Sequence, residues 1–102
     1  MIIFELKEED YEIIDLGEEN STIPSLLKTD KIFFFIDSVN STVWVWEGKS
    51  TTTKMKFIAA RIASDIRDRY GITYNITIID EDNEPEQFLN LLMIEEEIPI
   101  SQ

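Results

Sequence analysis

Residues 42–92 read TVWVWEGKSTTTKMKFIAARIASDIRDRYGITYNITIIDEDNEPEQFLNLL, and the order of elements in that stretch decides the fold. Residues 42–46 are β-branched and aromatic, the composition of a strand, and Gly48 turns the chain out of it. Residues 53–70 carry apolar side chains at Met55, Ile58, Ala59, Ile62, Ala63, Ile66 and Tyr70. At 100° per residue these fall within a sector of about 140°, the spacing of a helix laid on a sheet. Residues 50–53 (Ser-Thr-Thr-Thr) offer several N-caps, Arg67 and Arg69 complement the dipole in the last turn, and Gly71 is placed to stop the helix. Residues 73–79 then return as a strand. A strand reached through a helical crossover runs parallel to its neighbour. Residues 80–84 form an acidic turn, and Pro85 opens a shorter helix over residues 85–92 with Phe88, Leu89, Leu91 and Leu92 as its apolar face. One bulky apolar residue breaks the pattern of the long helix. Phe57 lies almost opposite the stripe, where a solvated helix carries a polar side chain.

Upstream, residues 2–6 and 11–16 read as two strands of a hairpin, with Glu8, Glu9 and Asp10 in the turn and Gly17 closing the second strand. Residues 18–29 are connective, and Ile23, Leu26 and Leu27 supply a short apolar group to tuck against the core. Residues 32–36, Ile-Phe-Phe-Phe-Ile, show no alternation. A strand covered on both faces has this character, so it belongs at the sheet centre with helices above and below. A loop of about five residues joins it to the strand at 42–46, which makes that pair antiparallel. The fold expected is of the α/β type (an α+β-type sandwich): a five-stranded mixed sheet between one long and one short helix. Residues 1–94 form the domain and residues 95–102 an acidic tail.

The chain of 102 residues has 9 Lys+Arg against 21 Asp+Glu, a net charge of −12. Nucleic acid, whose affinity comes largely from phosphate neutralisation, is a poor partner for it. The charge is uneven. Residues 49–70 hold six basic residues against two acidic ones, +4, while the remainder holds three against nineteen, −16. The long helix is therefore expected as a basic ridge on an acidic body. The chain contains neither cysteine nor histidine. Disulfides, thiolate metal sites and the usual general base are excluded, and no nucleophile–base pair assembles from what remains, so the protein is not expected to be an enzyme. The amino-terminal residues lack the pattern of a signal peptide and no segment is long and apolar enough to span a membrane, so a cytoplasmic location is expected. Three Asn-x-Ser/Thr triplets, at Asn20, Asn40 and Asn75, are then matters of composition.

Val43-Trp44-Val45-Trp46-Glu47-Gly48-Lys49, followed by a polar turn and a helix containing Ala59, Ala60 and Ala63, resembles the strand, turn and long helix of the gelsolin/villin family's repeated domain. Ile76-Thr77-Ile78-Ile79-Asp80 through Glu84-Pro85-Glu86-Gln87-Phe88 is similar to the strand, acidic turn and Phe-bearing segment that follow. Asp30-Lys31-Ile32-Phe33-Phe34-Phe35-Ile36-Asp37 is similar to the family's central strand. Each motif is weak alone; in order, over residues 2–92, they are specific. The resemblance implies a gelsolin-like domain that binds actin or an actin homologue at the outer face of the long helix, and a place in the cytoskeleton.

On that face the resemblance points to Phe57, Ala60, Arg61, Ser64 and Asp68. The aromatic would insert as an anchor, and the small residues would permit close approach. The plainer reading, a solitary exposed aromatic or one packed under the tail, stays open. The family's calcium site uses an Asp matched by Asp30, a carbonyl near Asp80, and a Glu in the first helical turn. Here that Glu is Met55, with Lys54 and Lys56 on either side. A thioether between two ammonium groups is wrong for Ca²⁺, which takes about 6–8 oxygen ligands, so the site is expected to be degraded. The acidic turn lacks the Gly and terminal Glu of an EF-hand loop and reads better as a cap on the short helix. Lys49, Lys54, Lys56 and Arg61 suit an acidic target, either actin or phosphoinositide head groups, or are simply a solvated face. The alternative to actin regulation, by monomer binding or end capping, is a non-actin interaction module of the same fold.

Overall fold

The computed structural model describes residues 1–8, 11–17 and 27–97, with side chains as far as Leu92. Five strands and two helices follow in the order β1 (Ile2–Leu6), β2 (Ile13–Gly17), β3 (Ile32–Asp37), β4 (Thr42–Glu47), α1 (Thr53–Tyr70), β5 (Asn75–Asp80) and α2 (Glu86–Glu97). The sheet order is β2-β1-β3-β4-β5, with β3 central. β1–β2, β1–β3 and β3–β4 are antiparallel, and β4–β5 is parallel. This is the mixed sheet read from the sequence.

β3 lacks alternation because both of its faces are covered. On one face Phe34, Ile32 and Ile36 join Val43, Val45, Phe4 and Leu6 beneath the α1 stripe of Met55, Ala59, Ala63 and Ile66. On the other, Phe33 and Phe35 join Ile3, Trp44, Trp46 and Ile79 beneath Phe88 and Leu92 of α2. Phe88 is fully buried, with its ring centroid 5.3 Å from Phe35 and 5.6 Å from Trp44. Burying a side chain of that size contributes about 1.5–3 kcal/mol, so this one residue secures the second layer. Both tryptophans are core.

The caps of α1 fall where the sequence placed them. Thr52 Oγ1 accepts from the Met55 N–H at 3.1 Å, and the Gly71 N–H donates to Arg67 O at 2.7 Å. Gly71 has φ 156°, and a Cβ there would meet the Tyr74 ring at 3.2 Å. Gly48 serves a different purpose, close approach of two chain segments. Its N–H donates to Lys31 O at 2.9 Å, and Ser50 N–H donates to Thr29 O at 2.8 Å.

Several boundaries differ from expectation. β5, read from residue 73, begins at Asn75 because Tyr74 donates its N–H back to Gly71 O at 2.9 Å, and β3, β4 and β5 each run one residue further than read. β2 begins at Ile13, because Tyr11 adopts φ 57° and donates its N–H back to Lys7 O at 2.9 Å, a turn and not a strand. Gly17 extends β2 instead of closing it, pairing with Ile3. The short helix starts one residue after Pro85, whose carbonyl accepts from Phe88 and Leu89, and runs to Glu97. Leu, Met and Glu are good helix formers and the sequence offers no breaker before Pro99, so the helix enters the stretch read as tail. Residues 98–102 lie outside the described residues, as do Glu9, Asp10 and residues 18–26. Of the apolar group in the connecting segment only Leu27 is described, and it packs on the tryptophan-bearing layer.

Candidate functional site

α1 carries the candidate site because its inner face is fully committed to the sheet. Met55, Ala59, Ala63 and Ile66 are at most 2% exposed, whereas Phe57 is 69% exposed. Ala60, Arg61 and Asp68 are exposed beside it and Ser64 is half-buried. From Phe57 to Asp68 the face spans about 16 Å at 1.5 Å per residue. The structure thus brings the five residues together on one outward strip, with the aromatic near the amino-terminal end. Small side chains follow it, and Asp68 stands 3.5 Å from the neighbouring Arg67.

The basic ridge is less continuous than the sequence suggested, since three of its lysines are engaged by other elements. Lys54 Nζ lies over the Tyr11 ring, 5.0 Å from its centroid. Lys49 forms an ion pair with Asp82 and donates its backbone N–H to Glu81 Oε1 at 2.8 Å. Lys56 faces Glu47, and the two are coupled electrostatically. Lys49 and Lys56 line a cleft of about 460 Å³ with Glu47, Gly48 and residues 80–83. Burial pushes the Glu47 carboxyl up and Asp80 adds to this, with Lys56 opposing.

The residues matched to the family's calcium ligands do not line one cleft. Met55 is 2% exposed inside the α1 layer. Asp30 is exposed and lines a second cleft with Glu5, Lys7, Glu8 and Lys31. Asp80 lies in the first cleft, with Lys49 and Lys56. Among the described residues no three carboxylates are grouped to hold a metal ion. A buried thioether, two aspartates lining different clefts and two ammonium groups do not make the oxygen cage that calcium takes.

Two carboxylates with structural work were not legible beforehand. Glu84 Oε2 accepts from the Trp46 indole N–H at 2.9 Å, fastening the acidic turn to β4. Asp37 Oδ2 accepts from the Trp44 indole at 3.1 Å and from Asn40 Nδ2 at 2.7 Å. Strand-forming tryptophans each followed or preceded by a turn acid were the available signal, but the pairing needs the sheet register.

A five-stranded mixed sheet with a long helix crossing from β4 to the parallel β5, and a short helix on the reverse face, defines a gelsolin-like domain. No model of a protein family and no curated protein matches the sequence. Among solved structures, the chain is similar to ProGel of Thorarchaeota, crystallised in complex with rabbit actin. The identity is 30% and the TM-score 0.77, over 90% of this chain and 99% of that one. It is also similar to Thorarchaeota 2DGel3, likewise crystallised with rabbit actin, at 26% identity and TM-score 0.65. That match covers 87% of this chain and 43% of the other. The chain belongs to the gelsolin-like family. No helix among the described residues is long and apolar enough to cross a membrane.

Proposed function

We propose that the protein binds actin or an actin homologue through the outer face of α1 and regulates filament assembly in the cytoplasm by holding monomers or capping an end. The observation that carries this reading is Phe57. It is a large aromatic 69% exposed on a helix whose opposite side is closed core, in a domain whose similar structures ProGel and 2DGel3 were crystallised with actin. An aromatic anchor entering an apolar cleft supplies most of the affinity of such a contact. Ala60 and Ser64 allow the helix axis to approach, while Arg61 and Asp68 form a polar rim that sets orientation. One such face gives one actin contact. The expected activity is therefore stoichiometric inhibition of polymerisation without efficient severing, which needs linked domains to grip two subunits.

We further propose that binding is independent of calcium, because the donor set does not fit the ion. The test is a polymerisation assay with actin from the same organism, in EGTA and in calcium. Equal, dose-dependent inhibition in both is expected. Absence of inhibition together with absence of co-sedimentation would overturn the actin reading and leave an interaction module for another protein.

A further inference from the structure

Among the described residues β5 ends the sheet, and its outer edge has no neighbouring strand. Edge strands are normally blunted by Lys, Pro or a bulge. β5, Asn-Ile-Thr-Ile-Ile-Asp, contains no Lys or Pro and pairs with β4 in unbroken register. Ile78 is 51% exposed on it. Asn75 N–H donates to Ser41 O at 2.9 Å and Glu81 N–H to Glu47 O at 2.9 Å, so odd-numbered residues turn their backbone groups toward β4. In a ladder the alternate residues face the other way. The free edge therefore presents the N–H and C=O groups of Ile76 and Ile78 and the N–H of Asp80, whose carbonyl accepts from Asn83 N–H at 2.9 Å.

We propose that this edge joins a second copy of the chain, β5 pairing antiparallel with β5 about a two-fold axis at Thr77 to make one continuous sheet. The hydrogen-bond pattern admits only registers in which even residues oppose even residues. Of the two with greatest overlap, an axis at Ile78 sets Ile76 against Asp80. An axis at Thr77 sets Ile76 of each copy against Ile78 of the other, hydrogen-bonded pairs that cover the exposed isoleucine. It leaves Thr77 facing Thr77 in the closer, non-hydrogen-bonded position, at a Cα separation of about 4.5 Å.

Charge agrees with this register. α1 runs antiparallel to β5, so the basic carboxyl-terminal turn of the helix lies at the amino end of β5 and the acidic turn at the other. A two-fold axis brings the acidic turn of one copy to the helix end of the next. Arg67 is on the α1 flank that faces β5, three turns along from Lys56, which lines the cleft beside Asp80. Among the described residues its buried Nε has no hydrogen-bond partner, and its terminal nitrogen pairs with Asp68 at 3.5 Å. In the Thr77 register Asp80 of the second copy arrives opposite Tyr74, beside that guanidinium. The uneven distribution of charge thus makes the chain self-complementary along this edge. Phe57, on the outer face of the helix, stays uncovered, and the inference does not depend on actin binding.

Sedimentation velocity over a rising concentration series tests the association, with Ile78→Lys as the edge-breaking variant. The full chain should show a monomer–dimer equilibrium and the variant, folded by circular dichroism, should stay monomeric. Because the chain has no cysteine, Thr77→Cys introduces a single thiol on the axis, which should form a disulfide-linked dimer in oxidised glutathione. Ile72→Cys, 81% exposed but off the axis, should cross-link at least tenfold more slowly. A wild-type chain monomeric throughout the series, an unchanged equilibrium in Ile78→Lys, or equal cross-linking of the two cysteine variants would each overturn the proposal.

Discussion

Met55 and Phe57 are two residues apart on α1, one 2% and the other 69% exposed. They divide the helix between core and solvent. Replacing Phe57 by Ala removes an exposed ring and should leave stability within about 0.5 kcal/mol of wild type. The loss of an anchor should weaken actin binding by about tenfold to a hundredfold. Pyrene-actin polymerisation and a thermal melt read the two effects separately, and equal inhibition by both proteins would exclude Phe57 as the anchor.

Met55→Glu restores the family's helical carboxylate in sequence only. The side chain would sit among Ala59, Ile66 and the α1-facing side of the sheet. Burying a carboxylate in that apolar layer should cost roughly 3 kcal/mol or more. We expect a lowered Tm that millimolar calcium does not recover, and no saturable heat when calcium is titrated into wild type.

Gly48 is required by space. A Cβ at this position would stand 2.2 Å from Thr29 O and 2.8 Å from Lys28 O, backbone atoms that cannot swing aside. Gly48→Ala should therefore destabilise by about 2–4 kcal/mol through displacement of the segment before β3, seen as a fall in the urea midpoint. A Tm equal to wild type would show that this crossing is looser than described.

Asp37 and Glu47 should respond to pH in opposite directions. Burial pushes the Asp37 carboxyl up, but hydrogen bonds from the Asn40 side chain, the Trp44 indole and the backbone N–H groups of Asn40 and Val39 together bring it below its ordinary value. Its contribution is fully present above the ordinary carboxylate value of about 4 and is lost as pH falls through the lower folded value. Asp37→Asn should cost about 1–3 kcal/mol at pH 7, and the gap should close in acid. For Glu47 the folded value is raised by burial, so its charged form is a cost at neutral pH that disappears in acid. Glu47→Gln should raise Tm at pH 7 and leave it unchanged near pH 3. Melts across pH check both signs.

Helix α1 was legible to the residue because its stripe, its Thr cap and its Gly stop all agree, and β3 because an unbroken apolar run admits one position in a sheet. Tyr11 misled for a physical reason: an aromatic residue favours strands on average, yet here it turns through positive φ and lends its ring to Lys54. The ridge of lysines dissolved for another. Their partners, Asp82, Glu81 and Tyr11, come from elsewhere in the chain, and no helical wheel contains them. The Trp46–Glu84 bond spans 38 residues and becomes visible only once β4 and β5 are set side by side. Phe57 stood out beforehand because it violated a pattern, and the structure places its ring in solvent, 69% exposed, opposite the core stripe.

The earliest strand, β1, lies between β2 and β3 and pairs with both. The opening of the chain is thus an interior plank of the sheet. A nick anywhere between β2 and β3 would leave the amino-terminal hairpin held by the β1–β3 ladder and by the burial of Ile3, Phe4 and Leu6. The two fragments should therefore reassemble when mixed, whereas trimming residues 2–6 would open the sheet down its middle.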